Sequence, residues 1–392
     1  MRTVALSSWV SERLLERNRI SQAFFPREAG RLARACQAMS ERFLRGGRLL
    51  AFGRGPYATD AQHVSVEFIH PVIVGKRALP ALDLSPCFCP WLMAIVQPED
   101  MVMGFGPPEG DPEVEEALRE AQRRGAMAFA LPGEVADYAT PAPSEDPFIH
   151  QEMVEVLYHT LWETVHVFFE HREIAHHDVG EAAFLYPFLT GQHQDTSEVV
   201  DQVASSILSK AQEDERLRRE AARDLAQSVA ECARAVAERV VRGGRLIAFG
   251  NGGSATDAND FVLDCVMPPR GLRPVPAISL AMEPAVLTAV ANDVGQEVMF
   301  LRQLVAHARP EDVAVAISTS GSSRNVIVAL EEARRRGMLT VGLLGYDGGE
   351  IARRRLVDFL LVVYSDYIPR IQEIHASLYH VLREAIEVAL RA

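Results

Sequence analysis

Apolar side chains in the second half of the chain follow a helical spacing that breaks off at a pair of glycines. They recur every three or four residues from 225 to 240, which predicts a helix, and Gly243 and Gly244 mark its end. The positions with this spacing are Leu225, Val229, Cys232, Val236 and Val240. The helix closes a charged helical segment, about 198–242, which we expect to open the second half of the protein.

Short apolar runs after this helix predict the strands of a sheet. Each run is too short for an ordinary helix and is bounded by glycine or polar residues. The runs are RLIAF at 245–249, DVAVAIS at 312–318, LTVGLLG at 339–345 and LVDFLLVVY at 356–364. Helical patterns lie between them, and strands that alternate with helices indicate a parallel sheet. Ligand-binding loops are then expected at the carboxyl ends of the strands.

The sequence contains an internal repeat of this pattern. Residues 41–61 align without gaps with 238–258 and are identical at 15 of 21 positions. Two further gap-free blocks follow, 98–125 with 310–337 and 151–163 with 372–384. Self-similarity over so long a period indicates two copies of one domain rather than a solenoid. We therefore predict an α/β protein with a first domain at 1–170, a connector at 171–197 and a second domain at 198–392.

Composition narrows the class of protein. The 392 residues carry a net charge of −13, which argues against a nucleic-acid partner because phosphate neutralisation needs a basic face. No run of eighteen apolar residues appears, so no membrane association is expected. Five irregularly spaced cysteines suit reduced thiols in a cytoplasmic enzyme, and we expect their side chains to be buried.

The segment AISTSGSSRN at 316–325 concentrates hydroxyl groups between a predicted strand and a predicted helix. The hydroxyls belong to Ser318, Thr319, Ser320, Ser322 and Ser323, with Gly321 among them. Backbone N–H groups at the start of such a helix, with these hydroxyls, form a binding site for a phosphate. A plain Ser/Gly turn with a helix cap is the other interpretation, and composition leaves both open.

Three motifs in order give the second copy a specific resemblance. GNGGSATDA at 250–258, the segment 317–345 and RIQEIHASLYHVL at 370–382 resemble the sugar isomerase (SIS) family, and within it the D-sedoheptulose 7-phosphate isomerases. The resemblance covers almost all of 200–392, and residues 20–165 resemble the family in degenerate form. It implies a five-stranded parallel sheet between helices in each copy, paired as a pseudo-dimer. It also implies a phosphorylated sugar as ligand, a homo-oligomer (a dimer of pseudo-dimers), zinc in several members and no nucleotide cofactor.

The resemblance also implies roles for individual residues. The sugar phosphate is assigned to Ser318, Thr319, Ser320 and Ser323. The open-chain sugar is assigned to Asn251, Ser254, Asn292, Asp293 and Gln372. The family's acid/base pair is a glutamate on the helix after the glycine loop and a histidine on the last helix. The same two residues, with a nearby histidine and glutamine, bind zinc in several members.

The two copies depart from the family in opposite ways. In the second copy the helix histidine and glutamate are replaced by Asp260 and Asp264, while Gln372 and His380 are kept. The first copy keeps the whole set, His63, Glu67, Gln151 and His159, which we assign as candidate metal ligands. Its phosphate loop has become GFGPPEGD, where Pro107 and Pro108 remove N–H donors and Glu109 and Asp111 repel phosphate.

The resemblance implies an isomerase that transfers a proton through an enediol, and the departures leave Glu67 or Asp264 as base and His159 or His380 as its partner. Three arrangements remain open: a site composed of both copies, a site contained in the second copy, or relic residues in the first. Two other functions are also open. One is a non-catalytic phosphosugar sensor or protein-binding scaffold. The other is a tandem amino-sugar phosphate isomerase or deglycase, although Lys76 and Lys210 are the only lysines available for an imine.

Overall fold

The computed structural model describes residues 3–71, 76–134, 136–173 and 196–392. These residues form two compact units, one of Arg19–Glu213 and the other of Met1–Asn18 with Asp214–Ala392. We call them the first and the second unit. Most of the predicted connector, 174–195, lies outside the described residues.

The first unit is an α/β domain built on five parallel strands. A long helix, α1 (Thr3–Leu44), leads into the sheet. The strands are β1 (Leu49–Gly53), β2 (Ala81–Asp83), β3 (Met101–Phe105), β4 (Met127–Leu131) and β5 (Tyr138–Ala139), in the order β2-β1-β3-β4-β5. The helices are α2 (Ala58–Ile69), α3 (Phe88–Ile95), α4 (Pro112–Arg123) and α5 (Pro147–Glu173). Hydrophobic clusters on both sides of the sheet make this a three-layer fold.

The second unit repeats this architecture. Its helices are α6 (Thr196–Asp224, in part), α7 (Ala226–Val241), α8 (Gly253–Val266), α9 (Pro284–Asp293), α10 (Met299–His307), α11 (Arg324–Arg335), α12 (Gly349–Arg353) and α13 (Ile368–Arg391). Its strands are β6 (Leu246–Phe249), β7 (Ala277–Ser279), β8 (Val313–Ser318), β9 (Leu339–Gly345) and β10 (Phe359–Val363). All pairs are parallel, in the order β10-β9-β8-β6-β7, which matches the first sheet read from the other edge. The predicted fold class is confirmed, and all four predicted strands are present.

Side-chain anchors confirm that the two units are copies. Arg42 donates to the Pro98 carbonyl at 2.5 Å, and its aligned equivalent Arg239 donates to the Pro310 carbonyl at 2.5 Å. A second arginine in each copy pairs with a buried aspartate that directly precedes a neighbouring strand of the sheet. Arg48 pairs with Asp100 before β3, and Arg245 pairs with Asp312 before β8. These contacts fix the same helix end to the same strand in both copies.

Two helical segments belong to a different unit from the one that the sequence boundaries gave them. Leu6, Val10 and Leu14 of α1 are buried in the core of the second unit. Val203 and Ile207 of α6 are buried in the core of the first. The predicted segment 198–242 is therefore not one opening element: it divides into α6 and α7, and the first half of α6 packs elsewhere. Helical spacing identifies an apolar face, but it does not specify which core that face enters.

The cysteine prediction is partly wrong. Cys36, Cys232 and Cys265 are buried, whereas Cys87 and Cys89 are exposed. These two flank Phe88 at the start of α3, and this helix packs through Phe88 and Leu92 instead. As for membranes, none of the helices in the described ranges has an apolar stretch that would cross a bilayer.

Candidate functional site

The hydroxyl-rich loop of the second unit follows β8 and folds tightly on itself. Gly321 lies at φ +58, and a Cβ there would come within 2.2 Å of the Gly348 carbonyl oxygen, so only glycine fits. The Gly321 N–H donates to Ser318 Oγ at 3.2 Å, and the Ser322 N–H donates to Ser320 Oγ at 3.3 Å. The loop is therefore compact at the amino end of α11, as expected for an anion-binding turn.

At the amino end of α11 the Val326 N–H donates to Asn325 Oδ1 at 2.9 Å, but the cap residue itself contributes no such bond. Ser323 occupies the cap position with extended backbone, and its hydroxyl makes no capping hydrogen bond. The first N–H groups of a helix have no partner within the helix, and the helix dipole favours a negative charge beside them. The assignment of the sugar phosphate to this end of α11 stays a prediction.

The corresponding end of α4 in the first unit is already filled by a carboxylate of the chain itself. Asp111 accepts from the N–H groups of Glu113 at 2.9 Å and Val114 at 3.2 Å. Pro107 and Pro108 precede it, and neither has an N–H to donate. The sequence predicted repulsion of phosphate here, and the geometry adds that an internal carboxylate takes the same position.

A cavity of about 490 Å³ lies beside the loop of the second unit. Its lining includes Asn251, Ser323 and Asn325, with Leu287, Thr288 and Ala291 of α9. Ser254 is buried in the first turn of α8 behind the glycine loop. Asn292 and Asp293 follow Ala291 at the end of α9, exposed, with Asn292 Nδ2 donating to Asp293 Oδ1 at 2.8 Å. Their assignment to the sugar stays a prediction.

A buried cluster of two carboxyls and an imidazole lies farther along α8 and α13. His380 Nε2 lies 3.0 Å from Asp264 Oδ2 and 3.4 Å from Asp260 Oδ2. Burial, reinforced by the charge of Asp260, raises the pKa of Asp264 to about 7. Tyr379, which the sequence did not single out, donates its hydroxyl to Asp260 at 2.8 Å. The second unit thus brings together the carboxyl and the imidazole assigned to it.

The first unit brings together three residues of its predicted set, His63, Glu67 and His159, on α2 and α5. His63 Nε2 lies 3.3 Å from His159 Nε2 and 3.8 Å from Glu67 Oε1, and all three side chains are buried. Neither oxygen of Glu67 accepts a hydrogen bond in the part of the chain that the structure describes. Burial, with the charge of Glu163 as a smaller cause, raises the pKa of Glu67 to about 8.

The two predicted glutamines lie near the starts of α5 and α13. Gln151 donates to Asp60 Oδ2 at 3.1 Å, so its amide nitrogen is directed at a carboxylate. Its role as a metal ligand stays a prediction. Gln372 is buried next to Ile371, which contacts Gly345. The Thr319 carbonyl oxygen contacts the same glycine, so α13 begins beside the hydroxyl-rich loop.

Both clusters have donor sets suited to a divalent metal. In the first unit one ligand atom from each of His63, Glu67 and His159 lies within 4.8 Å of the others. Two imidazole nitrogens and a carboxylate form a common zinc set, and the oxygens of Glu67 have no competing donor. One ligand atom from each of Asp260, Asp264 and His380 also lies within 4.8 Å of the others, but two of these three atoms are carboxylate oxygens. The first set is the better match to zinc.

Comparison with known proteins places this geometry in a family. A model described as "SIS domain" matches residues 211–345. The phosphoheptose isomerase of Geobacter sulfurreducens is 42% identical over 196 residues, which cover 49% of this chain and 99% of that protein.

Two solved structures share the fold over nearly the whole chain. The tagatose-6-phosphate ketose/aldose isomerase from Escherichia coli has a TM-score of 0.56 at 14% identity, covering 98% of this chain and 93% of its own. The C-terminal domain of glucosamine-fructose-6-phosphate aminotransferase from Francisella tularensis also has a TM-score of 0.56, at 10% identity, covering 97% and 96%. These likenesses show the tandem fold, and the Geobacter relative shows the closer kinship. The chain therefore belongs to the SIS-domain family, as a relative of the phosphoheptose isomerases.

Proposed function

We propose that the protein is an aldose–ketose isomerase acting on a phosphorylated sugar, with sedoheptulose 7-phosphate as the substrate to test first. One observation supports this most strongly: the second unit leaves the amino end of α11 uncapped at Ser323, whereas Asp111 fills the same position in the first unit. This end of α11 also adjoins a cavity whose lining includes the polar side chains of Asn251, Thr288 and Asn325.

In this proposal the hydroxyl-rich loop anchors the phosphate and takes no part in the chemistry. Ser320, Ser323 and the N–H groups at the start of α11 hold the phosphate through hydrogen bonds and the helix dipole. Fixing one end of the sugar restricts the positions of its carbonyl and the adjacent carbon, which lowers the entropic cost of reaching the transition state.

Proton transfer needs a base whose pKa lies near neutrality, and each unit offers a buried carboxyl of this kind. Glu67 with His159 matches the residue types of the family's acid/base pair and is the candidate of the first unit. Asp264 with His380 is the alternative assignment. The carboxylate removes a proton from the carbon next to the carbonyl, and the imidazole moves protons between the two oxygens.

A zinc ion would be held by His63, Glu67 and His159, with Gln151 as a fourth candidate. While it is bound, Glu67 and His159 are ligands, and the acid/base role falls to Asp264 and His380. When bound, the ion supplies Lewis-acid polarisation of the sugar carbonyl. His63 and His159 have no need to be charged for this role, since neutral imidazole nitrogen is the metal-binding form. Removal of metal with EDTA should therefore lower turnover while leaving phosphate binding at the hydroxyl-rich loop unchanged.

The test of the phosphate assignment is a Ser320→Asp variant. A carboxylate at this position repels the phosphate, and we expect sedoheptulose 7-phosphate binding by calorimetry to fall at least about a hundredfold. Ser209→Asp is the matched control, because Ser209 is an exposed serine on α6. Unchanged binding by Ser320→Asp would refute the loop assignment.

The acid/base assignment is tested by Glu67→Gln and Asp264→Asn. Loss of the base should reduce kcat by about a hundredfold or more with little change in KM, since the base acts in the transition state. If only Asp264→Asn is inactive, the alternative pair replaces the first. If neither variant loses turnover of a substrate that the wild type isomerises, both assignments are wrong.

The competing functions give distinct outcomes in the same assay. A sensor or scaffold binds the phosphosugar without turnover at any metal concentration. An imine-forming enzyme needs a lysine amine as nucleophile, but Lys210 is held in an ion pair with the buried Glu163. The homo-oligomer that the resemblance implies is tested by light scattering of the full chain.

A further inference from the structure

A pair of side chains joins the glycine loop of the second unit to the first turn of α11. Asn251 Nδ2 donates to Asn325 Oδ1 at 3.0 Å, and Asn325 Nδ2 donates to Asn251 Oδ1 at 2.8 Å. Asn325 Oδ1 also accepts from the Val326 N–H at 2.9 Å, which ties the pair to the helix backbone. Each amide thus satisfies a donor and an acceptor of the other.

The aligned positions of the first unit also contact each other, but with different chemistry. In the gap-free repeats Arg54 aligns with Asn251 and Glu113 aligns with Asn325. Arg54 Nη1 lies 3.0 Å from Glu113 Oε1, so an ion pair joins the same loop to the first turn of α4. Both members differ between the copies, while the contact between them is present in both.

This joint difference indicates that the link itself matters. Had only one partner differed, an arginine or a glutamate would face an asparagine and the reciprocal bonding would be lost. Both links also line a cavity at the loop ends, of about 490 Å³ in the second unit and about 510 Å³ in the first. The link therefore sets the separation of two loops that form the cavity wall.

The pair of side chains is neutral in the unit with the proposed phosphate site and charged in the unit without it. Glu297 already lines this cavity, and a glutamate at position 325 would add a second negative charge two residues after Ser323, beside the helix end assigned to phosphate. A neutral amide pair makes the same connection without that charge. In the first unit Asp111 already fills the helix end, so an arginine–glutamate pair there opposes no ligand of this kind.

We propose that Asn251 and Asn325 act together as one neutral latch, and that both are positioning residues for phosphosugar binding. The latch holds the loop at 250–252 against the start of α11 and so fixes the wall of the cavity. The inference rests on the proposed function for the identity of the ligand. It revises the role of Asn251, whose amide is engaged with Asn325 as well as facing the cavity.

A double-mutant cycle tests whether the two residues act as one. Asn251→Ala and Asn325→Ala should each raise KM for sedoheptulose 7-phosphate about tenfold while kcat changes less than about threefold, and the double variant should be no worse than either single. Gln227→Ala is the matched control, because this exposed amide on α7 also bonds a neighbouring side chain. Losses that multiply in the double variant would overturn the proposal.

Transplanting the pair of the first unit gives an independent test. Asn325→Glu alone breaks the latch and adds a charge, so both thermal stability and affinity for inorganic phosphate should fall. Adding Asn251→Arg should return the melting temperature to near the wild-type value and recover part of the phosphate affinity. A combined variant no more stable than Asn325→Glu contradicts the latch.

The cycle is also run on unfolding, which does not depend on the ligand. If the wild type neither binds nor isomerises the phosphosugar, the proposed function fails, yet the coupling between Asn251 and Asn325 is still measured in urea. Non-additive losses of stability then support the latch, and additive losses overturn it.

Discussion

Single residues in this protein lie in environments that shift their proton affinity strongly. His375 on α13 is fully buried, and burial lowers its pKa to about 4, although a contact with the Leu344 carbonyl opposes the shift. The unfolded chain binds a proton at this residue near pH 6.5, whereas the folded chain does not until about pH 4. Stability contributed by neutral His375 is therefore present above pH 6.5 and is lost as the pH falls towards 4.

We expect a His375→Leu variant to resist acid better than the wild type. The lost stability corresponds to about 3 kcal/mol between pH 7 and pH 4, and leucine has no proton to bind. Urea titration at pH 7 and pH 4.5, followed by hydrogen exchange in β8 and β9, measures the difference. The exposed His307→Leu is the control, and an equal acid-induced loss in wild type and His375→Leu contradicts the prediction.

Sequence patterns predicted which residues carry functional chemistry better than they predicted which side chains are in contact. His63 and Glu67 are four residues apart, which is about one helical turn, so the sequence alone places them on one face of a helix. The partnership of Asn251 with Asn325 was not predictable in this way, since 74 positions separate them and their side chains meet only after two strands align. Tyr379 was missed for the same reason: its bond to Asp260 joins two distant helices.

Among the elements, α4 and α11 have aligned cap positions that differ in role between the two units. Asp111 caps α4 with two hydrogen bonds, whereas the aligned Ser323 makes no capping bond to α11 and only Asn325 bonds an N–H of its first turn. A capped helix end gains stability, and an uncapped end retains affinity for an anion. The sequence predicted which loop would bind phosphate, but the capping bonds of Asp111 appear only in the structure.

Alanine substitutions at these two positions should have opposite consequences. Asp111→Ala should lower the stability of the first unit by about 1–2 kcal/mol, because a capping carboxylate is lost, without changing phosphate affinity. Ser323→Ala should change stability by only a few tenths of a kcal/mol and weaken phosphate binding several-fold. Urea unfolding and calorimetry with inorganic phosphate measure both effects. The same response from both variants would contradict this division of roles.

For the whole molecule, the chain segments that make up each unit determine which core a substitution destabilises. Leu14 near the start of the chain is buried in the core of the second unit, whereas Ile207 is buried in the core of the first. The boundaries expected from the repeat assigned each residue to the other unit. The repeat blocks begin at 41 and 238, after both segments, so alignment gave no guidance there.

Truncation of Leu14 should therefore destabilise the second unit, and truncation of Ile207 should destabilise the first. Leu14→Ala should cost about 2–5 kcal/mol in the second unit, and Ile207→Ala a similar amount in the first, because each leaves a cavity in a buried core. Hydrogen exchange should speed up in β6 to β10 for Leu14→Ala and in β1 to β5 for Ile207→Ala. The reverse assignment would show that the helical segments pack with their sequence neighbours.

The helix α1 has a consequence for the order in which the protein is made. The part of α1 up to Asn18 is synthesised well before the rest of its unit, which begins only at Asp214. At about 5–20 residues per second, roughly 10–40 seconds pass before those partners emerge. During that interval Leu6, Val10 and Leu14 have no native core to enter, so the nascent chain presents an apolar stripe to chaperones until the second sheet is complete.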